Sequence, residues 1–200
     1  MSSVRREKLA LRNRFRQIRS AFDEAERAAR SRAIVSKLVE IPELRGVPTI
    51  LSYWPFADEI DIRALIEQFY RQGVRIALPV VDFSSTRPAM HAALYDGDDA
   101  LHPNRWGILE PVDTPHVYSS ELGAVIVPAL GAGQNGHRIG YGGGHYDALL
   151  AELEVLTICT VHAECLVEHC PFEAHDVSVD VLVTERDVVR VGSLPATQPQ

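Results

Sequence analysis

Short apolar runs of strand length alternate with segments of helical periodicity along most of this chain. The runs occupy residues 49–53, 74–81, 90–95, 124–130, 156–161 and 181–184. Helices are predicted at 62–71, where Asp61 caps the start and Gly73 stops the end, and at 145–153. Continuous apolar runs are typical of strands buried on both faces, as in parallel sheets. The order predicts an α/β fold, a single-domain three-layer α/β sandwich with a central, mostly parallel sheet, in which 124–130 is central and 90–95 lies near an edge.

Two amphipathic helices are predicted ahead of the first strand. The first spans residues 4–21, and its apolar stripe consists of Leu11, Phe15, Ile18 and Phe22. These residues recur at spacings of three and four, which is the helical period. Basic residues follow one flank of that stripe, at Arg5, Lys8, Arg12, Arg16 and Arg19. Asp23 and Glu26 resemble a capping box, which opens a second helix that ends before Pro42.

The composition is that of an ordinary globular protein, with 200 residues, 46% hydrophobic and 24% charged. We expect one domain over residues 1–190 and a loose tail over 191–200, because the tail has little apolar surface to bury. The net charge of −7 argues against a nucleic-acid partner, and no apolar run has the length of a membrane span. The first residues lack a secretory leader pattern. A cytoplasmic protein without nucleic-acid or membrane partners is therefore predicted, and we expect it to be a monomer.

The three cysteines, Cys159, Cys165 and Cys170, are predicted to be reduced thiols, because an odd number without an export signal is typical of the cytoplasm. Cys165 and Cys170 lie near His162 and His169 in sequence, which leaves zinc binding as a minor alternative. Their spacing differs from that of a C-x-x-C knuckle and no second pair exists, so a structural role is favoured.

A glycine-rich segment from Arg138 to Asp147 reads R-I-G-Y-G-G-G-H-Y-D and joins a predicted strand to a predicted helix. Glycines let backbone N–H groups approach a ligand closely, and a helix N-terminus favours phosphate. Arg138 adds a planar cation suited to phosphate oxygens, and Asp147 offers an oxygen ligand for Mg²⁺. The segment is neither a Walker A loop, since no G-K-[ST] follows, nor an N-terminal G-x-G-x-x-G turn. A flexible turn is the competing interpretation of the glycines alone.

Following V-P-A-L at residues 127–130, this loop resembles the signature R-x-G-Y-G-G-G-Y-Y-D of the 5-formyltetrahydrofolate cyclo-ligase family, also called methenyltetrahydrofolate synthetases. Further matches occur in order along the chain. They are K-x-x-x-R at Lys8 and Arg12, the first strand exit at 54–61, W-G-I-x-E-P at 106–111, and the segments at 175–181 and 184–185. Several ordered matches are more specific than any one of them.

The resemblance implies an enzyme that uses ATP and Mg²⁺ to convert 5-formyltetrahydrofolate to 5,10-methenyltetrahydrofolate, with release of ADP and phosphate. It implies that the catalytic residues are Lys8, Arg138 and Asp147. It implies that ATP is bound by Lys8, Arg12, Arg138, Gly140, Tyr141, Gly142, Gly143, Gly144, His145 and Tyr146. Folate contacts are implied at Trp54, Glu59, Trp106 and Tyr146, and Mg²⁺ ligands at Asp147 and Asp176.

Three positions depart from the family pattern. Ala132 and Gly133 stand where the family usually has Phe-Asp, and His145 replaces the first loop tyrosine. These departures leave open a family paralogue with a changed substrate or lost activity. A non-catalytic nucleotide or sugar-phosphate binding module is a third alternative, although Asp147 and Asp176 argue against it, because an anion site has little use for carboxylates.

Individual site residues also have plain structural interpretations. Lys8 and Arg12 alone fit a solvated helix flank, and Glu59 alone fits a residue that favours a helix dipole. Trp106 alone fits a core tryptophan, and Asp176 alone fits a turn cap. The family match favours the functional interpretation of each.

Overall fold

The computed structural model describes residues 2–192, which form four α-helices, four 3₁₀ turns and thirteen β-strands. The helices are α1 (Ser3–Ser20), α2 (Glu24–Glu40), α3 (Arg63–Arg71) and α4 (His145–Leu150). The strands are β1 (Thr49–Leu51), β2 (Arg75–Val81), β3 (Met90–Leu94), β4 (Leu101–Pro103), β5 (Leu109–Pro111), β6 (His116–Val117), β7 (Ala124–Pro128), β8 (Gly131–Gly133), β9 (Arg138–Ile139), β10 (Leu156–Thr160), β11 (Leu166–Val167), β12 (Val181–Val183) and β13 (Val188–Arg190). The 3₁₀ turns are Pro42–Leu44, Asp98–Ala100, Ser119–Glu121 and Ala163–Cys165. From residue 193 onward, the predicted tail lies outside the described residues.

The main sheet of the described chain has eight strands in the order β13-β12-β10-β7-β1-β2-β3-β6. Neighbouring strands from β12 to β2 are parallel, whereas β13, β3 and β6 pair antiparallel at the two edges. The predicted α/β class and the mostly parallel central sheet are confirmed. The strand at 124–130 is central and the strand at 90–95 is next to an edge, as the apolar pattern predicted. None of the helices in residues 2–192 is long and apolar enough to cross a membrane.

Each face of the sheet buries its own apolar core, which gives the three layers. On β1, Ile50 points to the core that α2 and α3 cover, and the next residue, Leu51, points to the opposite core. Helices α2 and α3 contribute Ile34, Leu38, Leu65, Ile66 and Phe69 to the first core. Helix α4 contributes Leu149 and Leu150 to the second. This alternation follows from the two-residue period of a strand, and it explains why the central runs are apolar throughout.

A third, smaller core docks α1 against the hairpin of β8 and β9. Phe15 is fully buried there among Leu130, Ile139 and two cysteines. A Cβ atom on Gly131 would lie 2.3 Å from the Phe15 ring, so only glycine allows this approach. The docking sets the position of every side chain that α1 presents to the sheet.

The segment 131–144, which lies between the predicted strand 124–130 and the predicted helix 145–153, is partly a hairpin. β8 and β9 pair antiparallel, and β8 also pairs with β11 in a three-stranded sheet. The helix that follows is shorter than the predicted 145–153. β8 and β9 consist of glycine, alanine, arginine and one isoleucine, so they show no apolar run, and here they are held by the distant β11 and α1.

Replacing Phe15 by alanine should lower the free energy of unfolding by about 3–5 kcal/mol, because a fully buried ring is lost and a cavity is left. Leu9→Ala is the matched control on the same helix, since Leu9 is 43% exposed, and it should stay within about 0.5 kcal/mol of wild type. Urea unfolding followed by circular dichroism measures both. Equal losses for the two variants would contradict this account of how α1 docks.

Candidate functional site

Helix α1 crosses the sheet at the carboxyl ends of β1 and β7. Arg19 is 2% exposed, and its Nη1 donates to the carbonyl of Ala129, just after β7, at 3.3 Å. Its Nε lies 3.0 Å from Oδ2 of Asp58, in the segment that follows β1. The sequence grouped Arg19 with a basic flank and gave it no role in the site. The available signal was its spacing of four from Phe15, which puts both side chains on the buried side of the helix. Open α/β sheets bind ligands at this strand edge.

The glycine loop lies directly beneath α1. Nε of Arg12 donates to the carbonyl of Gly140 at 2.8 Å, and its guanidinium carbon lies 3.6 Å from where a Gly142 Cβ would be. Within residues 2–192, the backbone N–H groups from Tyr141 to Gly144 donate to no acceptor. Gly142 and Gly144 have φ values of +105° and +73°, which L side chains rarely adopt. The loop is therefore a row of free donors beside a cation, which is an anion-binding arrangement.

Lys8 and Asp176, both implied site residues, form an ion pair with each other. Nζ of Lys8 donates to Oδ2 of Asp176 and lies 3.9 Å from Oε2 of Glu173. Burial alone would raise the pKa of Asp176. The hydrogen bonds from Lys8 and from the Glu173 N–H outweigh this effect, and the pKa of Asp176 is therefore lowered. Arg12 thus contacts the glycine loop as expected, whereas Lys8 contacts the acidic segment that follows it in the chain.

Arg138 and Asp147 form the second ion pair of the site, with Nη2 and Oδ1 3.0 Å apart. The Arg138 side chain is 4% exposed, and its Nη1 donates to the carbonyl of Val177 at 2.7 Å. Oδ1 of Asp147 also accepts from the Val177 N–H at 3.2 Å. Asp147 therefore contacts the residue that follows Asp176, so the two implied metal ligands lie on adjoining segments. The described chain contains no preformed cluster of three or more metal-ligating side chains.

Glu59 is the implied folate contact whose shifted pKa falls near neutral pH. It is half-buried, and its Oε2 accepts from the Phe56 N–H at 3.0 Å. Burial raises the pKa of Glu59 to about 7, although the hydrogen bond from Phe56 opposes the shift. Burial and the Glu59 charge also raise the pKa of Tyr146, and burial raises the pKa of Tyr141 to about 12. A carboxyl group that changes charge near neutral pH therefore lies close to two neutral phenols.

Trp106 is at the mouth of the cleft and is 46% exposed, which rules out the core-tryptophan interpretation. Its ring centroid lies 4.7 Å from that of Phe83 and 5.8 Å from that of His145, both edge to face. The adjoining Gly107 would place a Cβ 3.7 Å from the Phe56 ring. The turn between β4 and β5 therefore lies against two other segments: the one after β1, which contains Phe56, and the start of α4, which contains His145. Trp54 lies further back, stacked on Tyr95 at 5.8 Å.

The cysteines lie in the cores rather than in the cleft. Cys159, Cys165 and Cys170 are buried, free thiols. Burial raises the pKa of Cys159 and Cys170 to about 12 and that of Cys165 to about 11. Thiols of such high pKa are poor nucleophiles and poor metal ligands, so packing accounts for all three.

Comparison with known proteins identifies the family. The sequence model of the 5-formyltetrahydrofolate cyclo-ligase family matches residues 4–185. The chain belongs to this family. It is similar to the 5-formyltetrahydrofolate cyclo-ligase of Escherichia coli strain K12, with 29% identity over 178 residues covering 86% of this chain and 97% of that protein. The mouse enzyme of the same name is 25% identical, covering 92% and 96%.

A solved structure supports the same assignment. The NMR structure of Aquifex aeolicus 5,10-methenyltetrahydrofolate synthetase superposes with a TM-score of 0.82 and 27% identity, covering 96% of each chain. The cyclo-ligase fold therefore extends over nearly the whole chain. This match shows the family and the fold, and the roles of the individual site residues stay predictions.

The two positions where the family usually has Phe-Asp are tightly packed in this chain. A side chain at Gly133 has no room, because a Cβ there would lie 2.2 Å from Oδ1 of Asn135. Asn135 instead bridges the backbone of Cys170, accepting from its N–H at 3.1 Å and donating to its carbonyl at 3.0 Å. Ala132 is fully buried beside it in β8. These two departures thus change the packing behind the loop and add no group to the cleft.

Gly142→Ala should lower the free energy of unfolding by about 1–2 kcal/mol, because a φ of +105° is strained for a residue with a Cβ. Gly140→Ala is the matched control, since Gly140 has an ordinary φ and nothing within 4 Å of its Cβ position. Thermal and urea unfolding of both variants measure the difference. A Gly142 variant as stable as the Gly140 variant would contradict the left-handed loop geometry.

Replacing Glu59 by glutamine should remove a pH dependence of stability. The folded pKa of about 7 exceeds the ordinary 4.5, so between these values the folded state binds more protons than the unfolded state, and wild-type stability falls as pH rises. Relative to Glu59→Gln, wild type should lose about 1–3 kcal/mol between pH 4.5 and pH 7.5. Urea unfolding across this range provides the measurement, and parallel pH profiles for the two proteins would refute the raised pKa.

Proposed function

We propose that this protein is a 5-formyltetrahydrofolate cyclo-ligase, which closes 5-formyltetrahydrofolate to 5,10-methenyltetrahydrofolate with consumption of ATP. Its family membership supports the folate reaction. The single observation that carries the use of ATP is the row of free N–H groups from Tyr141 to Gly144 beneath Arg12. A triphosphate needs many hydrogen-bond donors and a local positive charge. The glycine loop beneath Arg12 supplies both.

The ATP phosphates are proposed to lie between α1 and the glycine loop. The proposed contacts are Lys8, Arg12, Arg138, Gly140, Tyr141, Gly142, Gly143, Gly144, His145 and Tyr146. Helix α4 has only six residues, so the loop donors and the basic side chains supply most of the attraction, rather than a helix dipole. Lys8 is paired with Asp176, and we expect a phosphate oxygen to compete with that carboxylate for its ammonium group.

The reaction requires the formyl oxygen to become a good leaving group. Transfer of the γ-phosphoryl group to this oxygen achieves that, and attack by the folate N10 on the formyl carbon then expels phosphate with loss of the N10 proton. The protein acts mainly by positioning and by stabilising charge. Lys8 and Arg138 are the proposed catalytic cations. The buried ion pair of Arg138 also fixes the orientation of Asp147, the third proposed catalytic residue.

Asp147 and Asp176 are the residues proposed to hold Mg²⁺. Arg138 and the Val177 N–H both contact Oδ1 of Asp147, and Oδ2 accepts no hydrogen bond from the described residues. One free carboxylate oxygen fits Mg²⁺, which takes one or two carboxylates together with water and phosphate oxygens. When bound, the ion would neutralise charge between carboxylate and triphosphate and polarise the phosphoryl group.

The folate is proposed to contact Trp54, Glu59, Trp106 and Tyr146. Glu59 accepts hydrogen bonds when ionised and donates one when protonated, and its pKa of about 7 gives it both forms near neutral pH. Trp106 offers an exposed aromatic wall for stacking. The Glu59 carboxyl at the inner end of the cleft suits the pteridine of a folate, and the aromatic rings at the mouth of the cleft suit its benzoyl group.

The two competing functions have weaker support. A pure phosphate-binding module accounts for the ion pair of Asp147 with Arg138, but it gives no role to Oδ2 of Asp147, which accepts no hydrogen bond from the described residues. A paralogue with a changed substrate or lost activity was suggested by the departures at Ala132, Gly133 and His145, and it has less support because the glycine loop keeps its free N–H groups beside Arg12 despite them. We also propose that the protein works as a cytoplasmic monomer, which sedimentation and fractionation would test.

Purified protein should produce the methenyl-folate absorbance band from 5-formyltetrahydrofolate only when ATP and Mg²⁺ are both present. Asp147→Asn should reduce the rate by about 100-fold or more and raise the Mg²⁺ concentration needed for half-maximal activity, because charge stabilisation is lost. Asp61→Asn is the control, since Asp61 also pairs with an arginine, Arg63, but outside the proposed contacts. Turnover without Mg²⁺, or an unchanged Mg²⁺ response in Asp147→Asn, would overturn the metal assignment.

A further inference from the structure

The turn that carries Glu59 has a strained backbone. Ala57 has a φ of +54°, in the left-handed region that residues with a Cβ rarely adopt. The turn is closed by the Glu59 N–H, which donates to the carbonyl of Phe56 at 3.0 Å, and by the Phe56 N–H, which donates to Oε2 of Glu59. Because the Ala57 side chain is exposed, its own packing does not explain this conformation. Strained backbone persists only where the surrounding structure holds it, and it clusters at functional sites.

Arg19 binds this turn from the inside of the protein. Its Nη2 donates to the carbonyl of Asp58, and its Nε lies 3.0 Å from Oδ2 of the same residue. Its Nη1 donates to the carbonyl of Ala129, which follows the central strand β7. One guanidinium therefore contacts both the main chain and the side chain of Asp58 and joins them to the end of β7. This arrangement needs the planar fork of an arginine, because a lysine has a single side-chain nitrogen.

Arg19 is the fixed member of this contact. Its side chain is almost fully buried, and a buried charge is costly when it loses its partners, so Arg19 stays with them. Phe15, one helical turn earlier, lies in the core that docks α1. The Asp58 side chain, by contrast, is partly exposed, and the turn around Ala57 lies at the surface. The helix therefore determines where the turn lies.

Arg19 contacts the neighbour of Glu59 and leaves Glu59 itself available. Within residues 2–192, Glu59 forms no ion pair, and its Oε1 accepts no hydrogen bond. Asp58 and Glu59 share one planar peptide unit, so a shift of Asp58 moves Glu59 with it. A misplacement of about 1 Å can cost a site much of its effect on a substrate. The contact with Arg19 thus fixes the backbone from which a carboxyl group with one free oxygen projects.

We propose that Arg19 is a positioning residue for the folate, which holds the turn at Ala57 in its strained form and thereby orients Glu59 toward the pteridine. This inference rests on the proposed function. Arg19 acts through Glu59 and does not touch the substrate, which distinguishes it from Lys8 and Arg12. The helix that presents two cations to the nucleotide therefore also sets the geometry of the folate site.

The test measures folate affinity by tryptophan fluorescence titration, which needs no turnover. In Arg19→Lys the dissociation constant of 5-formyltetrahydrofolate should rise about 5- to 20-fold, because the charge is kept but the forked contact is lost. The KM of ATP should change less than about twofold. Asp58→Ala removes the same contact from the partly exposed side and should act in the same direction, so the test does not depend on one buried variant. In a Glu59→Gln background, Arg19→Lys should add less than about twofold, since it acts through Glu59.

Relief of the backbone strain separates positioning from general support. Glycine adopts a φ of this kind without a steric penalty, so adding Ala57→Gly to Arg19→Lys should return the dissociation constant to within about threefold of wild type. Asp113→Gly is the matched control and should restore nothing, because Asp113 has a similar φ of +57° in the segment between β5 and β6. Arg30→Gln removes a paired arginine of α2 outside the proposed contacts and should leave folate affinity unchanged.

Unchanged folate affinity in both Arg19→Lys and Asp58→Ala would overturn the proposal. So would a full additional loss in the Glu59→Gln background, or equal effects of the two glycine substitutions. An equal loss of ATP and folate affinity would make Arg19 a general support of α1 and would also refute it. Folate binding that depends on Arg19 without methenyl product would uphold the inference and refute the ring-closing activity. Normal ring closure with folate affinity independent of Arg19 would refute the inference alone.

Discussion

The burial of Phe15 against Gly131 is the contact on which the site depends. It docks α1 on the β8–β9 hairpin at a distance that no larger residue than glycine permits. With the helix fixed at this point, its period places Lys8, Arg12 and Arg19 along one cleft. Lys8 reaches the acidic segment before β12, Arg12 the glycine loop, and Arg19 the segments after β1 and β7. One apolar contact therefore orients three cations.

Charge in the cleft is balanced in pairs before any ligand enters. Lys8 is matched with Asp176 and Arg138 with Asp147, and each pair includes one residue implied as a metal ligand. Because partly buried charges are costly when unpaired, these pairs let an acidic protein keep cations and carboxylates at one anion site. The site thus holds cations and carboxylates together without being strongly positive.

The departures from the family pattern are accommodated by local packing. Gly133 lacks the usual carboxylate, and Asn135, two residues later, occupies the space and bridges Cys170. His145 replaces a tyrosine yet still meets the Trp106 ring. Its imidazole lies over the loop, 2.6 Å from where a Gly143 Cβ would be, and burial lowers its pKa. An aromatic ring therefore lies over the loop.

The sequence by itself determined the class of the fold, the order of its main helices and strands, the central place of β7 and the glycine loop with its flanking Arg138 and Asp147. These features depend on local periodicity and on residue chemistry, and both can be recognised in the sequence. Tertiary structure alone decided the partners of Arg19, the β8–β9 hairpin, the partner of Lys8 and the pKa of Glu59. Each of these depends on segments far apart in sequence, and desolvation and pairing are set by what packs around a group rather than by its neighbours in the chain.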